Sequence, residues 1–173
     1  MTAWSRWLLV GLMVLAGAVG MAGRGGHGET AAASGISQGE VELEGAQAEE
    51  LAARVAAGVP LPAGGNFNGI RWAELDGTIT AAQVQEVVEY NAACQWYRAL
   101  RDGRQAADAR RIIAEVPGWE GVRGRATGEL AAGVAADVAA GGGATLTGVL
   151  RQCDDSHRRQ VAYAEAHGKV GER

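Results

Sequence analysis

Cys153-Asp154-Asp155-Ser156-His157 is the densest run of reactive side chains in the sequence. On a helix, Cys153 and His157 stand one turn apart, where an imidazole lowers a thiol pKa and makes a nucleophile. Asp154 and His157, at i and i+3, share a face as two metal ligands would. With Glu165 farther along the same segment, Asp154 and His157 define one reading: an extracytoplasmic enzyme, hydrolytic or metal-dependent. Two ligands do not hold a metal without others from a second segment, and the sequence names no obvious one. The remaining histidines, His27 and His167, fall in a glycine-rich stretch and at a helix end. The plainer reading, and the preferred one, is a solvated helix surface. Asp154, Asp155, Arg158 and Arg159 then form i,i+4 ion pairs, each worth about 0.3 kcal/mol. No motif asks for a cofactor, and no metal site is expected.

Cys94 and Cys153 are the only cysteines. Each falls on an apolar stripe: Cys94 lies one turn past Tyr90, and Cys153 follows Leu146, Val149 and Leu150. In an oxidising compartment, two cysteines that face one core are expected to form a disulfide. In a reducing one they stay buried thiols that behave as small hydrophobes. The bridge and the Cys153 nucleophile exclude each other, since a sulfur in a disulfide does not attack.

Gln95-Trp96-Tyr97-Arg98 is the most distinctive string. Trp, Tyr and Arg dominate interface hot spots, so Trp72, Trp96, Arg98 and Arg101 are the candidate contact residues for a partner. Consecutive helical residues point about 100° apart, so Trp96 and Tyr97 cannot both centre one face. One is expected to anchor the core and the other to cover its edge, with Arg98 stacked on a ring. Core packing is the favoured account of these rings, because only 5% of the residues are aromatic and the interior needs them.

The compartment is indicated by the N-terminus. Arg6 precedes an uncharged run from Trp7 to Gly23 that ends at Arg24. A lone positive charge ahead of an apolar helix marks a segment for export. At about 17 residues, the lower limit for a spanning helix, it reads equally as a cleaved signal peptide or a retained anchor. Gly20-Met21-Ala22 and Ala16-Gly17-Ala18 offer small residues for cleavage, while Trp4 and Trp7 suit the membrane interface. Ala16 and Gly20 also form a small-xxx-small pair through which two such helices can pack. The chain is therefore expected outside the cytoplasm of a bacterium, secreted or membrane-anchored. It reads as a binding or structural component of the cell envelope. The expected partners are the cytoplasmic membrane, where the apolar helix is retained, and an envelope protein or polymer. A net charge of -4 argues against a dedicated nucleic-acid binder.

The elements that position these residues read as helices. Residues 1–23 form the export segment, 24–36 a glycine-rich tether, 37–168 a single helical domain and 169–173 a polar tail. Ser37 with Glu40 fits a capping box, but Gly39 and Gly45 weaken the helical turns after it, so the first helix is placed from about Ala46 to Ala57. Gly58 and Pro60 end it. Val59 to Gly77 is an irregular stretch whose Phe67, Ile70 and Trp72 are expected to lie over a helical core. Thr80-Ala-Ala-Gln83 is a second capping box. It opens the strongest helix, with Val84, Val87, Val88, Tyr90, Cys94, Tyr97 and Leu100 as its apolar face. Further helices are expected from Gln105 to Val116, from Thr127 past Val138, and from a cap at Thr145 or Thr147 to His167. Pro117-Gly118 and Gly141-Gly-Gly143 separate them. No strand is predicted. The expected fold is all-α: a small bundle of four or five helices behind an N-terminal apolar export or anchor helix.

Overall fold

The computed structural model describes residues 41–170 apart from residue 76, all within the compact unit Gln38–Arg173. The apolar N-terminal run, the tether with His27 and the Ser37/Glu40 box lie outside the described residues. Among the described residues, no helix is long and apolar enough to cross a membrane.

Among the described residues, five helices carry the fold: α1 (Gly45–Ala56), α2 (Ala81–Arg101), α3 (Ala106–Glu115), α4 (Ala126–Ala139) and α5 (Ala144–Ala166). Single 3-10 turns add Trp72–Glu74 before α2 and Val116–Gly118 after α3. One feature departs from the helical expectation. Two short strands, β1 (Glu42–Leu43) and β2 (Ile79–Thr80), pair antiparallel with Glu42 opposite Thr80. Two residues are too few for a period-2 pattern to register in sequence.

The Thr80/Gln83 box forms as expected and starts α2. Gln83 N donates to Thr80 Oγ1 at 3.2 Å, and Thr80 N donates to Gln83 Oε1 at 2.9 Å. The rest of α2 is more deeply placed than a one-faced amphipathic helix. Every residue from Ala92 to Ala99 is buried, because neighbours enclose the helix on all sides. Its N-terminal half supplies Val84 and Val88 to a core shared with Ala48 and Ala52 of α1 and with Trp72. Its C-terminal half supplies Ala93, Trp96, Tyr97 and Ala99 to a larger core with α3, α4 and α5. Val87 is the exception on the expected stripe: 38% exposed, it borders a groove between α2 and α5 rather than a packed interior.

The irregular segment between α1 and α2 covers the smaller core, with Trp72 buried and Phe67, Ile70 and Leu75 packed around it. Gly69 lets this segment touch α5, since a Cβ there would lie 2.6 Å from the Gln160 carbonyl oxygen. Side chains of α2 pin the segment from below. Trp96 Nε1 donates to Pro60 O at 2.9 Å, and Gln95 Nε2 donates to Asn66 O at 2.7 Å.

The last two helices start differently from the sequence reading. α4 begins at Ala126 with Arg125 at its N-cap, and the Thr127 hydroxyl instead donates to Glu86 Oε1 on α2 at 2.7 Å. Neither Thr145 nor Thr147 caps α5, whose N-cap is Gly143. The capping carboxylate comes from α4. Asp137 Oδ2 accepts from Thr145 N at 2.8 Å and from Leu146 N at 3.4 Å. The three-glycine turn is short enough to fold the first turn of α5 back onto the last turns of α4.

The predicted disulfide joins α2 to α5. Cys94 and Cys153 are bonded, with Cα atoms 5.4 Å apart and 59 residues of sequence separation. Closing a loop of that length removes unfolded-state entropy worth about 4 kcal/mol. That is a large term for an interior built mainly of alanine and valine, which bury little area each.

Candidate functional site

The C-terminal end of α2 presents arginines at 98, 101 and 104, the last just beyond the helix. α5 runs alongside, held there by the disulfide one turn before Arg98. Between them, roofed by Ala63 and Gly64, lies a cleft of about 460 Å³ lined by Arg98, Arg101, Asp102, Arg104, Asp154 and His157. The roof is fixed by a hydrogen bond from Ala63 N to Gln105 Oε1 at 2.7 Å. Gln105 itself adopts φ 45°, the left-handed conformation that turns the chain from α2 into α3.

Charges in the cleft interlock. Arg101 donates through Nη1 to Asp154 Oδ2 at 2.7 Å and through Nε to Asp102 Oδ1 at 2.8 Å. Arg104 Nη2 lies 3.5 Å from the other oxygen of Asp102. The hydrogen bond from Arg101 holds the Asp102 carboxyl below the usual aspartate range, and the same bond raises the Arg101 guanidinium further. Arg98 is only 5% exposed, and its Nη1 donates to the Cys153 carbonyl at 3.3 Å. It lines both this cleft and a smaller groove of about 210 Å³, to which Tyr90, Arg159 and the two bridged cysteines also contribute. Burial raises the pKa of the Tyr90 and Tyr97 phenols, so both hydroxyls stay protonated.

The structure brings together Asp154, His157, Arg98 and Arg101 from the residues singled out in sequence. It does not bring Glu165 to them. Glu165 is exposed, eight residues beyond His157 and about 12 Å farther along the helix axis. Among the described residues, no group of three or more His, Cys, Asp and Glu side chains gathers in a way that holds a metal ion. Cys153 is in the bridge and carries no thiol. His167 ends α5, its ring 4.0 Å from that of Tyr163.

Two further expectations change. Asp154 does not pair with Arg158 along its own helix: it reaches across to Arg101, leaving Asp155 as the partner of Arg158. Trp72 and Trp96 both lie in the interior, 7% and 3% exposed, where the interior-packing account places them and where a partner's surface does not reach. Tyr97 is fully buried as well, so neither ring of the Trp96-Tyr97 pair sits at an edge. Of the four candidate contact residues only Arg101 is exposed.

Asp102 and Arg104 also line the cleft, although neither is among the residues singled out in sequence. The signal is present in the spacing. Arg98 and Arg101 are i and i+3 on α2, and the turn that places Arg104 beside them is the one Asp102-Gly103 announces. Compared with protein-family profiles, curated proteins and solved structures, the chain finds no match in any of the three.

Proposed function

We infer that this chain is an exported or membrane-tethered helical domain that serves as a binding or structural component of the bacterial cell envelope. The observation that carries the reading is the Cys94–Cys153 bridge between α2 and α5. Such bonds persist in oxidising compartments and are rare in the reducing cytosol. The bridge therefore agrees with the address suggested independently by Arg6 and the apolar run behind it. Binding is favoured over catalysis by the cleft chemistry. Its one histidine has no thiol beside it, and the carboxylate nearest it in sequence within the cleft, Asp154, is tied to Arg101.

The address is tested by fusing residues 1–36 to a reporter enzyme that becomes active only after forming its own disulfides. The reading expects activity comparable to that given by an established export signal, and loss of that activity when Leu8, Leu9 and Val10 are changed to aspartate. A reporter that stays inactive and cytoplasmic contradicts it.

A further inference from the structure

We propose that Asn68 is a site of spontaneous modification: Gly69 N attacks the Asn68 side-chain amide, and the succinimide that forms opens to aspartate or isoaspartate.

The chain holds three asparagines, Asn66, Asn68 and Asn91, and among them Asn68 alone is followed by glycine. Asparagine is thermolabile because the next main-chain nitrogen can close a five-membered ring on its amide carbon. Glycine makes that closure easiest, since no Cβ crowds the attacking nitrogen. Gly69 N loses its proton to hydroxide and bonds to Asn68 Cγ. The Cγ–Nδ2 bond breaks, and ammonia departs with a proton taken from water. Water then adds to one of the two ring carbonyls. Opening at Cγ gives aspartate, whereas opening at the main-chain carbonyl carries the chain through the former side chain and gives isoaspartate.

The structure leaves the nucleophile available. Residues 67–70 form a turn closed by Ile70 N donating to Phe67 O at 3.1 Å. Asn68 N donates to Asn66 Oδ1 at 3.0 Å, whereas Gly69 N makes no hydrogen bond among the described residues. Asn68 itself is exposed. Comparable positions are guarded. Asn91 stands inside α2, where the helix ladder holds the following N–H, and Asn66 precedes the bulky Phe67. At Asp102-Gly103, the Gly103 N–H donates to Leu100 O at 3.1 Å, and Arg101 keeps the carboxylate ionised and so a poor target for attack.

Neither product fits the joint that Asn68 and Gly69 make with the end of the chain and with α5. Asn68 Nδ2 donates to Val170 O at 2.9 Å, and either product removes that donor and sets a carboxylate free in its place. Isoaspartate also adds a carbon to the main chain beside Gly69, where a Cβ would already lie 2.6 Å from the Gln160 carbonyl oxygen. The modification therefore loosens the loop from α5 and from the residues that follow it.

The test uses purified, oxidised, full-length protein held at mildly alkaline pH, both folded and in urea, and then digested with trypsin. Fragment 55–71 carries Asn66 and Asn68. It is expected to gain one mass unit, located at residue 68 by fragmentation, at a rate that rises with hydroxide. With no hydrogen bond to break at Gly69 N, the folded rate should lie within about tenfold of the rate in urea. Asn68→Gln, whose longer side chain does not close the five-membered ring, should abolish the gain. In Asn68→Asp, amide exchange over 160–170 should quicken while that of α2 stays unchanged. A gain that falls on Asn66 or persists in Asn68→Gln overturns the proposal, as does folding that slows the reaction by more than about tenfold. Unchanged exchange in Asn68→Asp overturns the loosening. All of these outcomes leave the export reading to the reporter fusion.

Discussion

Glu89 shows how a single charged side chain is drawn into the interior of this molecule. It is 6% exposed, accepts from Gly121 N at 2.8 Å and from Gln85 Nε2 at 3.0 Å, and so ties the turn after α3 to α2. Gly121 is required for that approach, since a Cβ there would lie 2.6 Å from Glu86 N. Hydrogen bonds to a charged acceptor contribute about 1.5–3 kcal/mol, and a buried donor left unpaired costs about 1–3 kcal/mol. Glu89→Ala is therefore expected to lower stability by about 2–3 kcal/mol in urea unfolding, with the slope of the transition unchanged. Glu89→Gln should lose less, because its amide oxygen can still accept from Gly121. Equal losses for the two variants would show that the carboxylate charge, rather than the hydrogen bond, is what holds the turn. None of this is legible in the sequence. A glutamate on a helix reads as a solvated residue, and its partner is 32 positions away. Arg98 is hidden for the same reason: the stripe rule assigns an arginine to the surface, and only the packing of α5 against α2 encloses it.

At the level of elements, local signals are legible and borrowed ones are not. The Thr80/Gln83 box and the proline after α3 act within a few residues of chain, so the sequence places those boundaries to within a residue or two. The start of α5 depends on Asp137, eight and nine residues before the N–H groups it satisfies and on a different helix. Thr145 and Thr147 resemble caps because threonine is a good one, yet Thr147 turns its hydroxyl to the Gly143 carbonyl at 2.7 Å. The two assignments make different predictions. Asp137→Ala should cost about 1 kcal/mol, the usual loss on removing an N-cap side chain, whereas Thr145→Ala should cost much less. Thermal melts of the two variants distinguish them, and a larger loss for Thr145→Ala contradicts the capping role of Asp137. The β1–β2 pair is invisible in sequence for a related reason. It closes Glu42 onto Thr80 through main-chain bonds across 38 residues, with no side-chain pattern to announce it.

At the scale of the whole molecule, α2 is the shared wall of both cores, and the Cys94–Cys153 bridge, which lines the groove, fastens α5 to it. The all-α architecture and the cysteine pairing are legible because each comes from periodicity and from an even count of cysteines on inward stripes. The cleft is half legible. Asp154, His157, Arg98 and Arg101 stand out as chemical groups, but their meeting depends on how closely α2 and α5 pack, which no local pattern encodes. The proposed role depends on an oxidised chain outside the cytoplasm. Intact mass, measured with and without reduction before alkylation on protein from native membrane and soluble fractions, tests that most directly. The account predicts no alkylation before reduction and two alkyl groups after it, on a chain either cut near Ala22 or retained uncut in the membrane fraction. An uncut chain in the cytoplasm that takes up both alkyl groups without reduction would contradict it.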